Sequence, residues 1–140
     1  MCKVLYLAAD EPQPVLPDGG TPPAPLSVRS LQQREEPVRE RFSKPHVYFV
    51  GAYTGCSCGF SYGPYSDDDA EGRESTRQLA AYLTAAVARS GPVEVYSCWD
   101  GEEAEPAAER AAVTPAAFAS DAAEFNLPDR WFAVVSAPAS

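Results

Sequence analysis

The residues of this chain with the most distinctive chemistry are its four cysteines. Cys56 and Cys58 form a Cys-x-Cys pair in the stretch His46 to Phe60, HVYFVGAYTGCSCGF, where an apolar segment leads into a glycine-flanked turn. Cys2 and Cys98 lie at the ends of two further apolar segments. Four thiolates can form a tetrahedral shell for zinc, and two or three can hold Cu(I). The four cysteines are therefore candidate metal ligands, with zinc or copper as the candidate cofactor.

A closely spaced thiol pair is also suited to redox chemistry. A disulfide between Cys56 and Cys58 would close a small, strained ring and would be readily reduced. The acidic segments 67–74 and 100–109 follow cysteines, and they would attract a dication but disfavour the negative charge of a tetrathiolate zinc centre. Free cysteine is also a common core residue. Three interpretations stay open: a thiophilic-metal site, a thiol redox or sensor site, and packing residues in a protein-interaction module without chemistry.

The only histidine, His46, lies at the start of the segment whose other end leads to Cys56. Six residues of strand span ~20 Å, so the sequence predicts neither a Cys–His pair nor a serine–histidine triad here. No nucleotide-binding glycine pattern, P-loop, metalloprotease helix or hydrolase nucleophile elbow is present. Catalytic residues are thus not predicted, and whether the protein is an enzyme stays open.

The elements that must position the cysteines follow from hydrophobic patterning. Segments 3–8, 47–52 and 93–99 are short, apolar and rich in β-branched or aromatic residues, which predicts strands. A long helix begins at one of residues 67–69 and ends at 90–92, with one apolar face formed by Leu79, Tyr82, Leu83, Ala86 and Val87. Weaker patterns predict a short strand over 26–31, short helices over 35–42 and 114–124, a loop over 100–110 and a last strand over 131–135.

These elements predict where the thiols lie. Strand 47–52, the long helix and strand 93–99 form a β-α-β unit, which brings the carboxyl ends of two parallel strands to one end of the sheet. Cys2 reaches the same end only if the first strand runs antiparallel to the other two, as in mixed sheets. We therefore expect a single α/β domain over residues 1–140. It has a mixed sheet of four to five strands, one long crossover helix and two short helices, and its four thiols converge.

Composition narrows the classes of function. The net charge is −9, from 11 basic and 20 acidic residues, which argues against binding nucleic acid or an anionic membrane. Five basic residues fall within 29–44, where we expect a solvated face or ion pairs. Residues 10–25 contain six prolines and predict an extended surface connection. No apolar run approaches ~20 residues and no signal peptide is seen, so the expected compartment is the cytoplasm, where thiols stay reduced.

Three segments carry a resemblance to known sequences. Met1-Cys2, VYFVGAYTGCSCGF at 47–60 and YSCWDG at 96–101 together resemble a small family of uncharacterised bacterial proteins with a Gly-Cys-x-Cys-Gly-Phe segment. The resemblance implies no activity, because none is known for that family.

Overall fold

The computed structural model describes residues 2–17, 24–64, 69–118 and 122–139. The strands are β1 (Lys3–Ala9), β2 (Leu26–Ser30), β3 (His46–Ala52), β4 (Val93–Trp99), β5 (Glu109–Val113) and β6 (Trp131–Val135). The long helix α1 covers Asp69–Ser90, and short 3-10 helices cover Gln33–Arg41, Ser57–Gly59 and Pro115–Phe118. All six strands belong to one mixed sheet in the order β2-β3-β1-β4-β6-β5.

Strand β1 lies at the centre of the sheet and determines where the chain's cysteines go. It pairs antiparallel with β3 on one side and with β4 on the other. Strands β3 and β4 are therefore parallel to each other, and the start of β1 lies between their carboxyl ends. This is the topology that the sequence required for Cys2 to approach the other thiols.

The two faces of the sheet bury different sets of side chains. Leu5 and Leu7 of β1 face α1, where they join Leu79 and Leu83 in the larger core cluster. These four side chains are at most 1% exposed, and each such burial contributes about 1.5–3 kcal/mol. The alternate residues of β1, including Tyr6, pack on the opposite face in a second cluster. The period-two alternation of a strand separates the two clusters.

The strand count corrects the expectation of four to five. The additional strand is β5, Glu109–Val113, which overlaps the end of the predicted loop over 100–110 and pairs in parallel with β6. The helix predicted over 114–124 is also wrong in extent. A single 3-10 turn covers Pro115–Phe118, residues 122–124 are not helical, and residues 119–121 lie outside the described part.

The basic residues within 29–44 form ion pairs, as expected. The pairs are Arg29–Glu35, Arg34–Asp100, Arg39–Glu36, Arg41–Glu40 and Lys44–Asp10.

Within the described residues, no helix combines the length and the apolar character needed to cross a bilayer.

Candidate metal centre

Three of the four cysteines meet at the end of the sheet where β1 begins. The Sγ atoms of Cys2, Cys56 and Cys58 all lie within 4.8 Å of one another. Cys2 is exposed, whereas Cys56 and Cys58 are half-buried. Three thiols at these separations can hold a metal ion. Cys2 immediately precedes β1, and the other two belong to the turn that follows β3, so the antiparallel pairing of these strands brings the three together.

The turn after β3 is attached to the sheet through Ser57, which lies between the two cysteines of the pair. The Ser57 hydroxyl accepts a hydrogen bond from the Leu5 N–H at 2.8 Å and donates one to the Val50 carbonyl at 2.7 Å. Leu5 and Val50 are register partners of β1 and β3. The hydroxyl therefore bridges the two strands where their ladder ends, and it satisfies two backbone groups that are buried.

Cys58 continues this attachment one step further along β1. The Lys3 N–H donates a hydrogen bond to Cys58 Sγ, with an N···S distance of 3.1 Å. Lys3 and Leu5 are two residues apart, so their N–H groups point to the same side of the strand. The side chains of Ser57 and Cys58 thus accept two successive N–H groups of β1. The turn therefore accepts the backbone hydrogen bonds at the start of β1, as a neighbouring strand would.

Cys56 is held by a tight turn of its own. The Ala52 N–H donates to the Cys56 carbonyl and the Gly55 N–H donates to the Ala52 carbonyl, both at 2.9 Å. Gly55 has φ +85°, a backbone conformation that glycine adopts without steric cost. The Thr54 hydroxyl donates to the Cys56 carbonyl at 2.9 Å and lies 3.6 Å from Cys56 Sγ.

Helix α1 packs against the back of this turn. The Tyr53 N–H donates to the Ser75 hydroxyl at 3.1 Å, and Ser75 is fully buried. A Cβ on Gly72 would lie 1.8 Å from the Ser61 carbonyl oxygen, so only glycine allows this approach of the helix. The Ser61 hydroxyl in turn donates to the Cys58 carbonyl at 3.2 Å. The segment that carries the thiols is therefore fixed from both the sheet and the helix.

The thiols of Cys56 and Cys58 differ in acidity. Partial burial would raise the pKa of Cys56, but hydrogen bonds from Thr54, from the Cys58 N–H and from the other two thiols outweigh it and leave this pKa below its ordinary value. For Cys58, burial and the neighbouring sulfur charges raise the pKa to about 11, against the lowering effect of the Lys3 N–H. Of these two thiols, Cys56 is therefore the one that ionises more readily.

Cys98, the fourth cysteine of the predicted ligand set, lies outside this group. It is fully buried in β4, pairs with Val4 and belongs to the cluster on the face opposite α1, with Tyr6 and Tyr96. Burial and the nearby carboxylates, Glu103 first among them, raise the pKa of Cys98. A neutral, buried thiol of this kind packs as a small apolar residue.

The same geometry shows where the histidine and the carboxylates lie relative to the three cysteines. His46 pairs with Ala9 at the far end of β3, away from the turn that carries Cys56. Among the described residues, no carboxylate or imidazole joins the cysteine group. Ser57, Thr54 and the Lys3 N–H were not predicted as parts of the site, and the sequence gives no specific signal for them beyond the polar Ser57 between two cysteines.

Comparison with protein-family models, with curated proteins and with solved structures finds no match to this chain. The resemblance to a family with a Gly-Cys-x-Cys-Gly-Phe segment therefore stays a prediction.

Proposed function

We propose that the protein binds a thiophilic metal ion, zinc or copper, through Cys2, Cys56 and Cys58. The observation that carries the proposal is the meeting of three Sγ atoms within 4.8 Å of one another. With Zn–S bonds of about 2.3 Å, sulfurs of a tetrahedral shell are about 3.8 Å apart, so shifts of about 1 Å or less would complete the contacts. Rotation of the exposed Cys2 side chain can supply such a shift.

The surroundings of the sulfurs support metal binding. Metal ligation requires thiolates, and binding therefore releases protons. The Lys3 N–H donates to Cys58 Sγ at 3.1 Å and the Thr54 hydroxyl lies 3.6 Å from Cys56 Sγ, so each of these sulfurs has a polar neighbour that orients it. Since the thiols must stay reduced, the proposal includes a cytoplasmic location.

Metal analysis of the full chain, purified without a histidine tag under reducing conditions, tests the proposal. We expect one zinc or copper ion per chain in the wild type and in Cys98→Ala, because Cys98 lies outside the group. In the double variant Cys56→Ser/Cys58→Ser the metal should be lost. The proposal fails if the wild type takes up neither metal when each is supplied, or if the double variant retains it.

Thiol redox chemistry is the second candidate function, because the same sulfurs are close enough to form a disulfide after side-chain rotation. The Cys56 thiolate would attack one peroxide oxygen of a hydroperoxide, so that the O–O bond breaks, a sulfenic acid forms and the leaving alkoxide takes a proton from the solvent to give an alcohol. The thiolate of Cys58 or Cys2 would then attack this sulfur, forming the S–S bond and releasing hydroxide, which takes a proton from the solvent to give water. Two electrons pass from the two sulfurs to the hydroperoxide.

The thiol count separates the two candidates. Treatment of metal-free protein with one equivalent of hydrogen peroxide, followed by alkylation and mass spectrometry, should show the loss of two free thiols if this chemistry operates. Tryptic peptides should place the disulfide among Cys2, Cys56 and Cys58. An unchanged count of four thiols would rule out the redox function and leave metal binding unaffected.

A further inference from the structure

We infer that the ion is Cu(I), and that the site delivers it to an external thiol by releasing Cys2 first. The inference rests on the proposed function and adds the identity of the metal and the route of its exchange. Three features of the site carry it: the number of ligands, the stability of the turn without a metal, and the unequal attachment of the three sulfurs.

The number of ligands favours a monovalent soft ion. The group consists of three cysteines, and no histidine, aspartate or glutamate of the described residues completes it to four. Structural zinc sites are closed shells of four protein ligands. Cu(I) is a soft ion that thiolates select, and two or three of them satisfy it. Three sulfurs with an exposed member therefore suit Cu(I) better than a structural zinc ion.

The turn does not need a metal to hold its shape. The Ser57 hydroxyl bridges Leu5 and Val50 at 2.8 and 2.7 Å, and the Ala52 N–H closes the turn on the Cys56 carbonyl at 2.9 Å. Phe60, just beyond the turn, is fully buried in the core against α1. Since hydrogen bonds and packing already fix the turn, an ion bound here is free to leave without unfolding it. That is the property of a cargo site rather than of a structural one.

The three sulfurs are attached to the fold with different strength. Cys58 Sγ accepts the Lys3 N–H at 3.1 Å, and Cys56 Sγ lies 3.6 Å from the Thr54 hydroxyl. Cys2 is exposed, and its carbonyl accepts a hydrogen bond from the Asp100 N–H at 2.7 Å, a backbone contact that does not involve its sulfur. Cys2 is therefore the ligand that exchanges.

Exchange proceeds without a change of oxidation state. The sulfur of an incoming thiol bonds to the ion, the bond from Cys2 Sγ to the ion breaks, and Cys2 takes up the proton that the incoming thiol releases. Copper remains Cu(I) throughout, and the number of metal–sulfur bonds is conserved. Repetition of this step at the other two sulfurs transfers the ion to the acceptor.

Anaerobic competition and transfer measurements on the full chain test the inference. Bathocuproine disulfonate reports free Cu(I), a chromophoric chelator reports Zn(II), and glutathione serves as the acceptor. We expect one Cu(I) per chain, displacement of bound Zn(II) by one equivalent of Cu(I), and the same behaviour in Cys98→Ala. In Cys2→Ser, zinc affinity should fall by more than the roughly 10–100-fold that loss of an outer-shell partner costs. The variant should still bind Cu(I) and should release it to glutathione faster than the wild type.

Two results would overturn the inference while leaving metal binding intact. The first is Zn(II) that Cu(I) does not displace. The second is transfer to glutathione at an unchanged rate in Cys2→Ser. A wild type that takes up neither ion would instead overturn the proposed function itself, and the inference with it.

Discussion

The backbone N–H of Lys3 donates a hydrogen bond to the sulfur of Cys58, 55 residues further along the chain, with an N···S distance of 3.1 Å. This contact joins the start of the central strand β1 to the turn that follows β3. It also brings Cys2, the residue before Lys3, next to the Cys-x-Cys pair. The three thiols thus lie together because the turn after β3 accepts backbone N–H groups at the start of β1.

The Ser57 hydroxyl should contribute strongly to the stability of the fold, because it joins the ends of β1 and β3. Ser57→Ala removes its bonds to Leu5 and Val50 and leaves two buried backbone groups unsatisfied. We expect a loss of about 2 kcal/mol in the free energy of unfolding, measured by urea denaturation. Ser61→Ala is the matched control. Its hydroxyl donates to the half-buried Cys58 carbonyl at 3.2 Å, so we expect a loss of about 1 kcal/mol or less. Equal losses in the two variants would contradict the role given to Ser57.

Gly72 should tolerate no side chain. The Cβ of Gly72→Ala would overlap the Ser61 carbonyl oxygen, so α1 or the loop must move. We expect the free energy of unfolding to fall by about 1–3 kcal/mol, measured by thermal or urea unfolding, although alanine is the better helix former. The exposed neighbour Glu71 provides the control, since Glu71→Ala should change stability by about 0.5 kcal/mol or less. A stabilised Gly72→Ala variant would show that the helix does not approach the loop so closely.

Stability should depend on pH through Glu35. This fully buried carboxylate accepts two bonds from Arg29, at 2.7 and 3.0 Å, and one from the Gln32 N–H at 2.7 Å. Burial alone would raise the pKa of Glu35, but these donors hold it below its ordinary value. A lowered pKa in the folded state adds stability above the unfolded pKa of about 4.3, and this contribution is lost as the pH falls through the folded-state pKa.

Glu35→Gln should therefore be less stable than the wild type by about 2 kcal/mol at pH 7, and the difference should narrow below about pH 4. Urea unfolding at a series of pH values measures it. The adjacent Glu36 pairs with Arg39 while both side chains are about half exposed, so Glu36→Gln should cost about 0.5 kcal/mol or less. A difference for Glu35→Gln that grows on acidification would have the wrong sign for a carboxylate stabilised in the folded state.

The cysteines should react with alkylating agents at very different rates. The lowered pKa of Cys56 gives it more thiolate near neutral pH, whereas burial and nearby carboxylates keep Cys98 protonated and out of reach. Timed treatment of metal-free protein with iodoacetamide, followed by peptide mass spectrometry, should show Cys56 modified before Cys98. Cys98 should become reactive only on addition of denaturant. Modification of Cys98 in the folded protein as fast as that of Cys56 would show that its site is open.

The central part of the fold could be predicted because its sequence signals agree with one another. The apolar runs that became β1, β3 and β4, together with the amphipathic pattern of α1, indicated parallel β3 and β4. They also made the approach of Cys2 depend on an antiparallel β1, which is the pairing found. Strand β5 carried no such signal. Its sequence Glu-Arg-Ala-Ala-Val has weak β propensity, and pairing with β6, distant in sequence, decides its conformation.

The candidate site was predictable as a region but not as a set of ligands. The ends of β3 and β4 indicated the correct end of the sheet, yet strand ends alone do not say which face a side chain occupies. Val93 and Val95 of β4 face α1. Because side chains alternate along a strand, Tyr96 and Cys98 both lie on the opposite face, in the second core cluster. The bridging role of Ser57 depends on the register of β1 and β3, which sequence alone does not determine.

X-ray absorption spectroscopy on the metal-loaded full chain counts the sulfur atoms bound to the ion, and so shows whether Cys2, Cys56 and Cys58 are its ligands. We expect three sulfur neighbours in the wild type and in Cys98→Ala, and two in Cys2→Ser. A first shell without sulfur, or a sulfur count that falls in Cys98→Ala and stays unchanged in Cys2→Ser, would contradict this set of ligands.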